Sequence, residues 1–339
     1  MGKELKIYLI ERNYLGAELI IMGRAVGQYA RYNLAEAQII GAESEVDYNY
    51  SGFIAVIYND TPLCDNEFIK EKCKQMRRHN IAKYFIGNGF IVDMQSALGD
   101  NITATEEKAL VVTSMADIAK MFSYLKHTSC QKWLANNVLI MDAETTYIEP
   151  SVVIGKGSVV YPMNWLQGRT IIGEGVTVYP YSNLVDTSID NNSEVRSSFC
   201  IGAFVGKNCT IGPFACLRSG SHIGDNCRVG DYVEIKNSTL ADNVKAAHLA
   251  YIGDSFVGSG TNVGCGAVFC NYDGKQKRGV QVGKNVFIGA NANLVAPLSI
   301  GDGAFIAAGS TVTKDVPANS LCIARSKEVF KAEYNFRTP

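Results

Sequence analysis

The chain has 339 residues, a formal net charge of −1, 47% hydrophobic and 19% charged residues. This length suits two domains better than one core. Near-neutral charge excludes the basic field of a nucleic-acid-binding protein, and no apolar run reaches the roughly 20 residues that cross a bilayer.

The opening MGKELKIYLIERN lacks the basic, apolar and small-residue order of a signal peptide, so a cytoplasmic location is expected. Residues 1–112 read as a small α/β domain. Residues 52–58 (GFIAVIY) form a buried-strand pattern, 66–78 a helical one, and Tyr84-Phe85-Ile86 a further strand. No glycine-rich phosphate loop follows a strand here, and Met22-Gly23-Arg24-Ala25-Val26-Gly27 does not carry that fingerprint. Residues 113–140 hold a linker. Within it, apolar residues at helical spacing, including Ile118, Met121, Phe122 and Leu125, predict a helix over 114–136 that docks the first domain onto the second.

Over residues 141–325 a six-residue register takes over. Ile148, Ile154, Val160, Leu166, Ile172, Val178 and Leu184 are all apolar. After a shift through Ile189, Val195 and Ile201 the register resumes at Val205, Ile211, Leu217, Ile223, Val229 and Ile235. It continues as Val257, Val263 and Phe269, then Val282, Ile288, Leu294, Ile300, Ile306 and Val312. Glycine often follows the apolar residue, as in Ile154-Gly155 and Ile300-Gly301. A period of six fits neither a helix nor a hairpin. It fits a mainly β fold, a triangular parallel β-helix in which each hexapeptide supplies one short strand and one corner. A β-sandwich is the alternative, but its period would be two.

Two segments break the register, residues 236–256 (NSTLADNVKAAHLAYIGDSF and its neighbours) and the polar stretch CNYDGKQKRGVQ between Phe269 and Val282. A solenoid that ejects a polar loop places side chains for function, so both breaks are site candidates. The ten cysteines form no CxxC pair and read as reduced thiols, mostly core fillers. Residues 326–339 are a C-terminal tail.

DYVEIKNSTL, KAAHLAYIGD, TNVGCGAVFCNYDGKQK and IAAGSTVTKDV closely resemble the acetyltransferase domain of the GlmU family, which makes UDP-N-acetylglucosamine for cell-envelope precursors. The likeness covers residues 138–325. Upstream, IAVIYNDTPLCD resembles the strand ending in the metal-binding Asp of the family's uridyltransferase domain, here Asp60. The front of that domain has no counterpart, and Ser114 stands where a second metal-binding residue, an Asn, is expected. The resemblance therefore implies a truncated nucleotidyltransferase-like domain without uridyltransferase activity and without metal. It also implies a left-handed β-helix and a homotrimer with active sites between subunits.

It further implies acetyl transfer from acetyl-CoA to glucosamine 1-phosphate. His248 matches the family's base, a suitable role for a group titrating near neutrality. Glu234 matches a carboxylate that supports this histidine. Arg218, Lys236 and Lys277 match the grip on the sugar phosphate, where cations suit a dianion. Tyr251, Asn262, Asn271 and Tyr272 match sugar contacts. Cys265 stands where a backbone N–H serves the oxyanion and Ala is usual, and Ala290 where some members have a coenzyme-contacting Ser. Ala308 and Arg325 match further coenzyme contacts. Another amino sugar or nucleotide sugar as acceptor, or a catalytically silent scaffold or regulator, are the competing readings.

Overall fold

The computed structural model describes residues 5–11, 20–21, 24–25, 28–40, 42–47, 50, 53–61, 63–79, 81–87, 89–93, 102–106 and 111–332. Residues 22–23 and 26–27 of the glycine-containing segment, and 333–339 of the tail, lie outside them. The chain divides into two compact units, Met1–Thr128 and Ser129–Pro339.

The first unit holds a six-stranded sheet in the order Gln38–Ile40, Leu5–Ile10, Phe53–Tyr58, Gly89–Asp93, Ile81–Ile86, Ile102–Glu106. Gly89–Asp93 runs antiparallel to both its neighbours, and the other pairings are parallel. The central strand Phe53–Tyr58 is apolar without alternation because both of its faces are covered. Phe53, Ala55 and Ile57 enter one core cluster, Ile54 and Val56 the other. The helix Asn66–His79 buries Ile69, Cys73 and Met76, one face at helical spacing, against the first of these clusters.

The helix Met115–Ala135 begins at a side-chain cap. Ser114 Oγ accepts from the Asp117 N–H at 3.3 Å, and the Asp117 carboxylate accepts from Ser114 Oγ at 2.7 Å and from the Thr113 N–H at 3.2 Å. Lys120 and Ser114 hold the Asp117 carboxyl well below the usual carboxylate range. Ser114 thus has a structural task, starting the helix. Ile118 and Met121 join Tyr29 and Val112 in a core of the first unit, whereas Cys130 and Trp133 belong to the core of the second. The boundary between the two units, at Thr128 and Ser129, falls within this helix.

The second unit is a parallel β-solenoid of three sheets, with ten, nine and eleven strands. The first face runs from Tyr147–Ile148 to Thr311–Val312, the second from Val153–Ile154 to Leu298–Ile300, and the third from Leu139–Ile140 to Leu321–Cys322. On the first face, Ile148, Leu166, Leu184, Cys200, Leu217, Ile235, Ile252, Phe269, Leu294 and Val312 all point inward and are buried. Burying each large aliphatic side chain in this ladder contributes about 1.5–3 kcal/mol. The strands are two to four residues long because each side of the triangle is short, so only stacked coils bury this surface.

Two expectations about the register are corrected. Ile201 faces outward at 43% exposure, and Cys200 takes the inward place between Leu184 and Leu217. Residues 236–256 are no interruption at all, since Leu240, Ala246 and Ile252 carry the inward ladder through them, each fully buried. The apparent blur arises where the step between inward residues contracts from six to five. At each such contraction the corner turns on one left-handed residue: Asp186, Ser197, Gly202, Asn237 or Asp254, with φ between 42° and 57°. Asn, Asp and Gly tolerate that conformation best, so polar corner residues mark these steps. The second break is real. Residues 271–279 leave the solenoid as a loop between Val268–Cys270 and Val280–Val282.

Six of the cysteines, Cys64, Cys73, Cys130, Cys200, Cys209 and Cys227, are buried as small fillers, whereas Cys265 is exposed. Cys209 Sγ accepts from the Cys227 N–H at 3.4 Å, the part that Ser158 Oγ plays for the Val176 N–H at 3.1 Å elsewhere in the stack. Burial pushes the Cys200 thiol up to about 12.

Candidate active site

His248 ends a third-face strand, Lys245–His248, that lies parallel to Arg228–Asp231 of the preceding coil. Their register sets Arg228 against Lys245, Val229 against Ala246 and Asp231 against His248. The strands approach closely at Gly230, where a Cβ would stand 1.9 Å from the Ala247 carbonyl oxygen. His248 Nδ1 lies 2.6 Å from Asp231 Oδ1, and the two side chains are 52% and 37% exposed. Asp231 is held below the ordinary carboxylate range by its own backbone N–H and by His248. Glu234, expected beside the histidine, does not reach it. Tyr232 turns the corner with φ 54°, which carries Glu234 onto the first face, where its Oε1 meets Arg218 Nη1 at 2.8 Å. The carboxylate in contact with His248 is Asp231, one coil of 17 residues before it. That spacing is the signal by which the sequence could have named it.

The first face gathers most of the residues expected to hold an acceptor. Glu234 stands against Cys216 on one side and Tyr251 on the other, and Lys236 against Gly253. Asn271, 7% exposed, donates through Nδ2 to the Tyr251 hydroxyl at 3.3 Å and to Asp254 Oδ2 at 2.5 Å. Asn237 Nδ2 donates to Asp254 Oδ1 at 2.8 Å. Gly253 leaves room for this meeting, since a Cβ there would stand 2.5 Å from both Asn271 Nδ2 and the Tyr251 hydroxyl. Asp254, a residue the sequence reading missed, thus anchors the loop that Asn271 opens. Its signal was its place at a five-residue corner.

The contact of Lys236 with Lys277 pushes the Lys236 ammonium below its usual value, with Arg218 adding to the effect. Cations held together at an exposed face form a cluster that an anion relieves. The loop itself is ordered. Tyr272 bridges to Lys277, its hydroxyl donates to the Gly274 carbonyl at 2.8 Å, and Asp273 Oδ1 accepts from the Lys275 and Gln276 N–H groups at 2.8 and 2.7 Å. Tyr272 remains 60% exposed, presenting its ring to solvent. Asn262 stands apart, on the third face between Lys245 and Phe287, three residues and about 10 Å of strand before the corner.

The expected coenzyme contacts fall into one column. The register of successive third-face strands places Cys265 below His248, then Ala290, Ala308 and Ala324, with Arg325 following. Beside them run Gly264, Gly289 and Ala307. A Cβ on Gly264 or Gly289 would come within 2.6 Å of the next coil's backbone, so small residues alone line this strip, as a shallow trough. Arg325 Cδ lies 3.9 Å from the Cβ position of Gly309, closing the far end. Four coil steps at about 4.8 Å make this trough roughly 19 Å long.

The same corner changes character at His248. Beyond it the left-handed residues are Gly266, Asn291 and Gly309, as the conformation prefers. Up to and including the coil of His248 they include Met163, Tyr181, Phe214, Tyr232 and Leu249, all large and between 46% and 65% exposed. Among the described residues, no group of three or more His, Cys, Asp or Glu side chains is placed to hold a metal ion. No helix among them is long and apolar enough to cross a membrane.

The fold and these columns define a hexapeptide-repeat solenoid. The family model for bacterial transferase hexapeptide repeats matches residues 202–237 and 279–314. The chain is GlmU-like. It is 47% identical over 231 residues to the bifunctional protein GlmU of Clostridium perfringens (strain SM101 / Type A), covering 68% of this chain and 51% of that one. It is 38% identical over 286 residues to GlmU of Geobacillus sp. (strain WCH70), covering 83% and 62%. The chain thus spans between half and about three-fifths of the length of these curated relatives. A solved LpxA from Acinetobacter baumannii aligns with a TM-score of 0.28 and 21% identity over 54% of this chain and 70% of that one, too loosely to bear on function.

Proposed function

We propose that the second unit is an acetyl-CoA-dependent N-acetyltransferase acting on glucosamine 1-phosphate. The observation that carries this reading is one juxtaposition. His248 stands at the head of a trough about 19 Å long, the reach of an extended pantetheine arm, and adjoins a first-face cluster of Arg218, Lys236 and Lys277. A thioester laid along the trough brings its acyl carbon to the histidine. A sugar phosphate held by the cations brings its amine to the same point, so orientation supplies much of the rate.

In this reading His248 Nε2 takes a proton from the attacking amine, and the new N–C bond forms as the carbonyl becomes a tetrahedral oxyanion. The Cys265 backbone N–H stabilises that oxygen, a role indifferent to the side chain. Collapse breaks the C–S bond, and the thiolate recovers the proton from the imidazolium. Tyr251, Asn271 and Tyr272 contact the sugar, while Ala290, Ala308 and Arg325 contact the coenzyme. Asn262, standing apart within one chain, contacts substrate from a neighbouring copy. Uridyl transfer is not part of the proposal, since Ser114 stands where the resemblance places a second metal-binding Asn.

The test is to mix the purified chain with acetyl-CoA and glucosamine 1-phosphate and follow free thiol. Release of one thiol per acetylated amine is expected, and no release above the acceptor-free rate overturns the reading. Arg218→Ala, Lys236→Ala and Lys277→Ala should each raise the acceptor KM about tenfold or more, because a charge-assisted hydrogen bond contributes about 1.5–3 kcal/mol. Glucosamine lacking the phosphate should show no such dependence.

The proposed assembly is a homotrimer with the site at subunit contacts. Its support is the ridge of Met163, Tyr181, Phe214, Tyr232 and Leu249 leading to His248, since large apolar side chains in left-handed, exposed positions gain nothing unless covered. Sedimentation should give a trimer, and Tyr181→Glu with Phe214→Glu should shift it to monomer. A monomeric parent chain contradicts this assembly.

A further inference from the structure

Asp231 and Glu234 flank the corner of the coil that precedes His248, and only Asp231 touches it. Asp231 Oδ1 is 2.6 Å from Nδ1, in strand register with the histidine. That register allows no slack. Gly230 packs against the Ala247 backbone, and Tyr232 turns the corner in the left-handed conformation. Asp231 is therefore held at both sides by backbone geometry rather than by a flexible stem. Glu234 lies past the corner, its carboxylate against Arg218 at 2.8 Å.

A neutral imidazole has one N–H and one acceptor nitrogen, and only the acceptor removes a proton. A carboxylate fixed at Nδ1 draws the N–H there and leaves Nε2 as the base. We propose that Asp231 is the positioning carboxylate of His248, setting its tautomer and ring orientation, while Glu234 belongs to the phosphate grip, holding Arg218 until an anion displaces it. This assignment rests on the acetyltransferase reading and departs from the role that resemblance gave to Glu234. Asp231 suits the task because its own N–H and His248 keep it ionised, so at neutral pH it accepts and does not donate. Glu234 suits the other task because an ion pair between half-exposed side chains, 50% and 40% exposed, is weak enough to exchange for a phosphate.

The experiment uses the full chain with Asp231→Asn, Asp231→Glu and Glu234→Gln, each followed by thiol release and by ring-15N NMR of the histidines, His248 being assigned with His248→Gln. In the parent chain His248 should be the Nδ1–H tautomer. Asp231→Asn should lower kcat on the order of 10²- to 10⁴-fold, the range seen when a histidine loses its orienting carboxylate, with the acceptor KM within about threefold. Its His248 spectrum should lose the Nδ1–H tautomer, and Asp231→Glu should recover part of both. Glu234→Gln should move the acceptor KM and leave kcat and the His248 tautomer as in the parent. The proposal is overturned if Glu234→Gln rather than Asp231→Asn changes the tautomer, or if Asp231→Asn keeps kcat within threefold. A parent chain without thiol release removes the acetyltransferase reading alone, because the tautomer measurement still decides whether Asp231 orients the ring.

Discussion

His248→Ala should slow acetyl transfer by orders of magnitude while leaving the fold intact. General-base catalysis contributes about 10²- to 10⁴-fold, so kcat for thiol release should fall by that factor. The side chain is 52% exposed and ends a strand whose inward residue is Ala246, so its removal opens no cavity. Thermal unfolding should therefore shift by no more than the ±0.5 kcal/mol typical of surface positions. Acetyl-CoA and acceptor would still bind, since the trough and the cations are built from other residues, and saturation should persist at a much lower maximal rate. Retention of kcat within tenfold would take the base role away from His248 and leave the trough without its chemistry.

The largest loss of stability should come from Phe269→Ala. Phe269 is fully buried and is the largest side chain in the inward ladder of the solenoid. Truncating it removes its transfer free energy and leaves a cavity that stacked backbones cannot collapse into, at a cost of about 3–5 kcal/mol. Phe287→Ala is the control. Phe287 lies on the outer surface, 41% exposed and stacked on Phe305 with ring centroids 4.5 Å apart, so its loss should cost only about 0.5–1.5 kcal/mol. Urea unfolding of the full chain, monitored on the β signal, compares the two midpoints. A functional consequence accompanies the first variant. Phe269 lies two residues before Asn271, so loosening its coil should also raise the acceptor KM through the loop of residues 271–279. Equal midpoints for the two variants would show that the inward ladder does not carry the stability assigned to it.

The inward ladder was legible wherever the step is six residues, as from Val205 to Ile235 and from Val282 to Val312. Every inward residue in those runs is buried. It failed at Ile201 and between Ile235 and Val257, where corners of five residues advance the ladder by one fewer position. A fixed period cannot foresee these contractions, because they depend on a single left-handed residue such as Ser197 or Asn237. The ejected loop was legible because Asn271, Tyr272, Asp273 and Gly274 interrupt an apolar pattern with residues no inward position accepts. Asp254 was not, because its work is to receive Asn237 and Asn271 from two neighbouring coils. Ser114 was read from the sequence only as standing in a metal ligand's place, and its part in capping the helix Met115–Ala135 came from the structure.

The sequence by itself determined that the second unit is a solenoid, which residues face inward along most of it, and that His248 and the polar loop lie on its later coils. Periodicity reports local geometry, and local geometry repeats. Only the tertiary structure decided which side chains meet across coils. Register partners lie 16, 17 and 18 residues apart at Leu184 and Cys200, Cys200 and Leu217, and Leu217 and Ile235. Vertical neighbours therefore depend on the sum of every corner between them, and one residue more or less rotates a different side chain into place. That is why the carboxylate beside His248 is Asp231 and not Glu234.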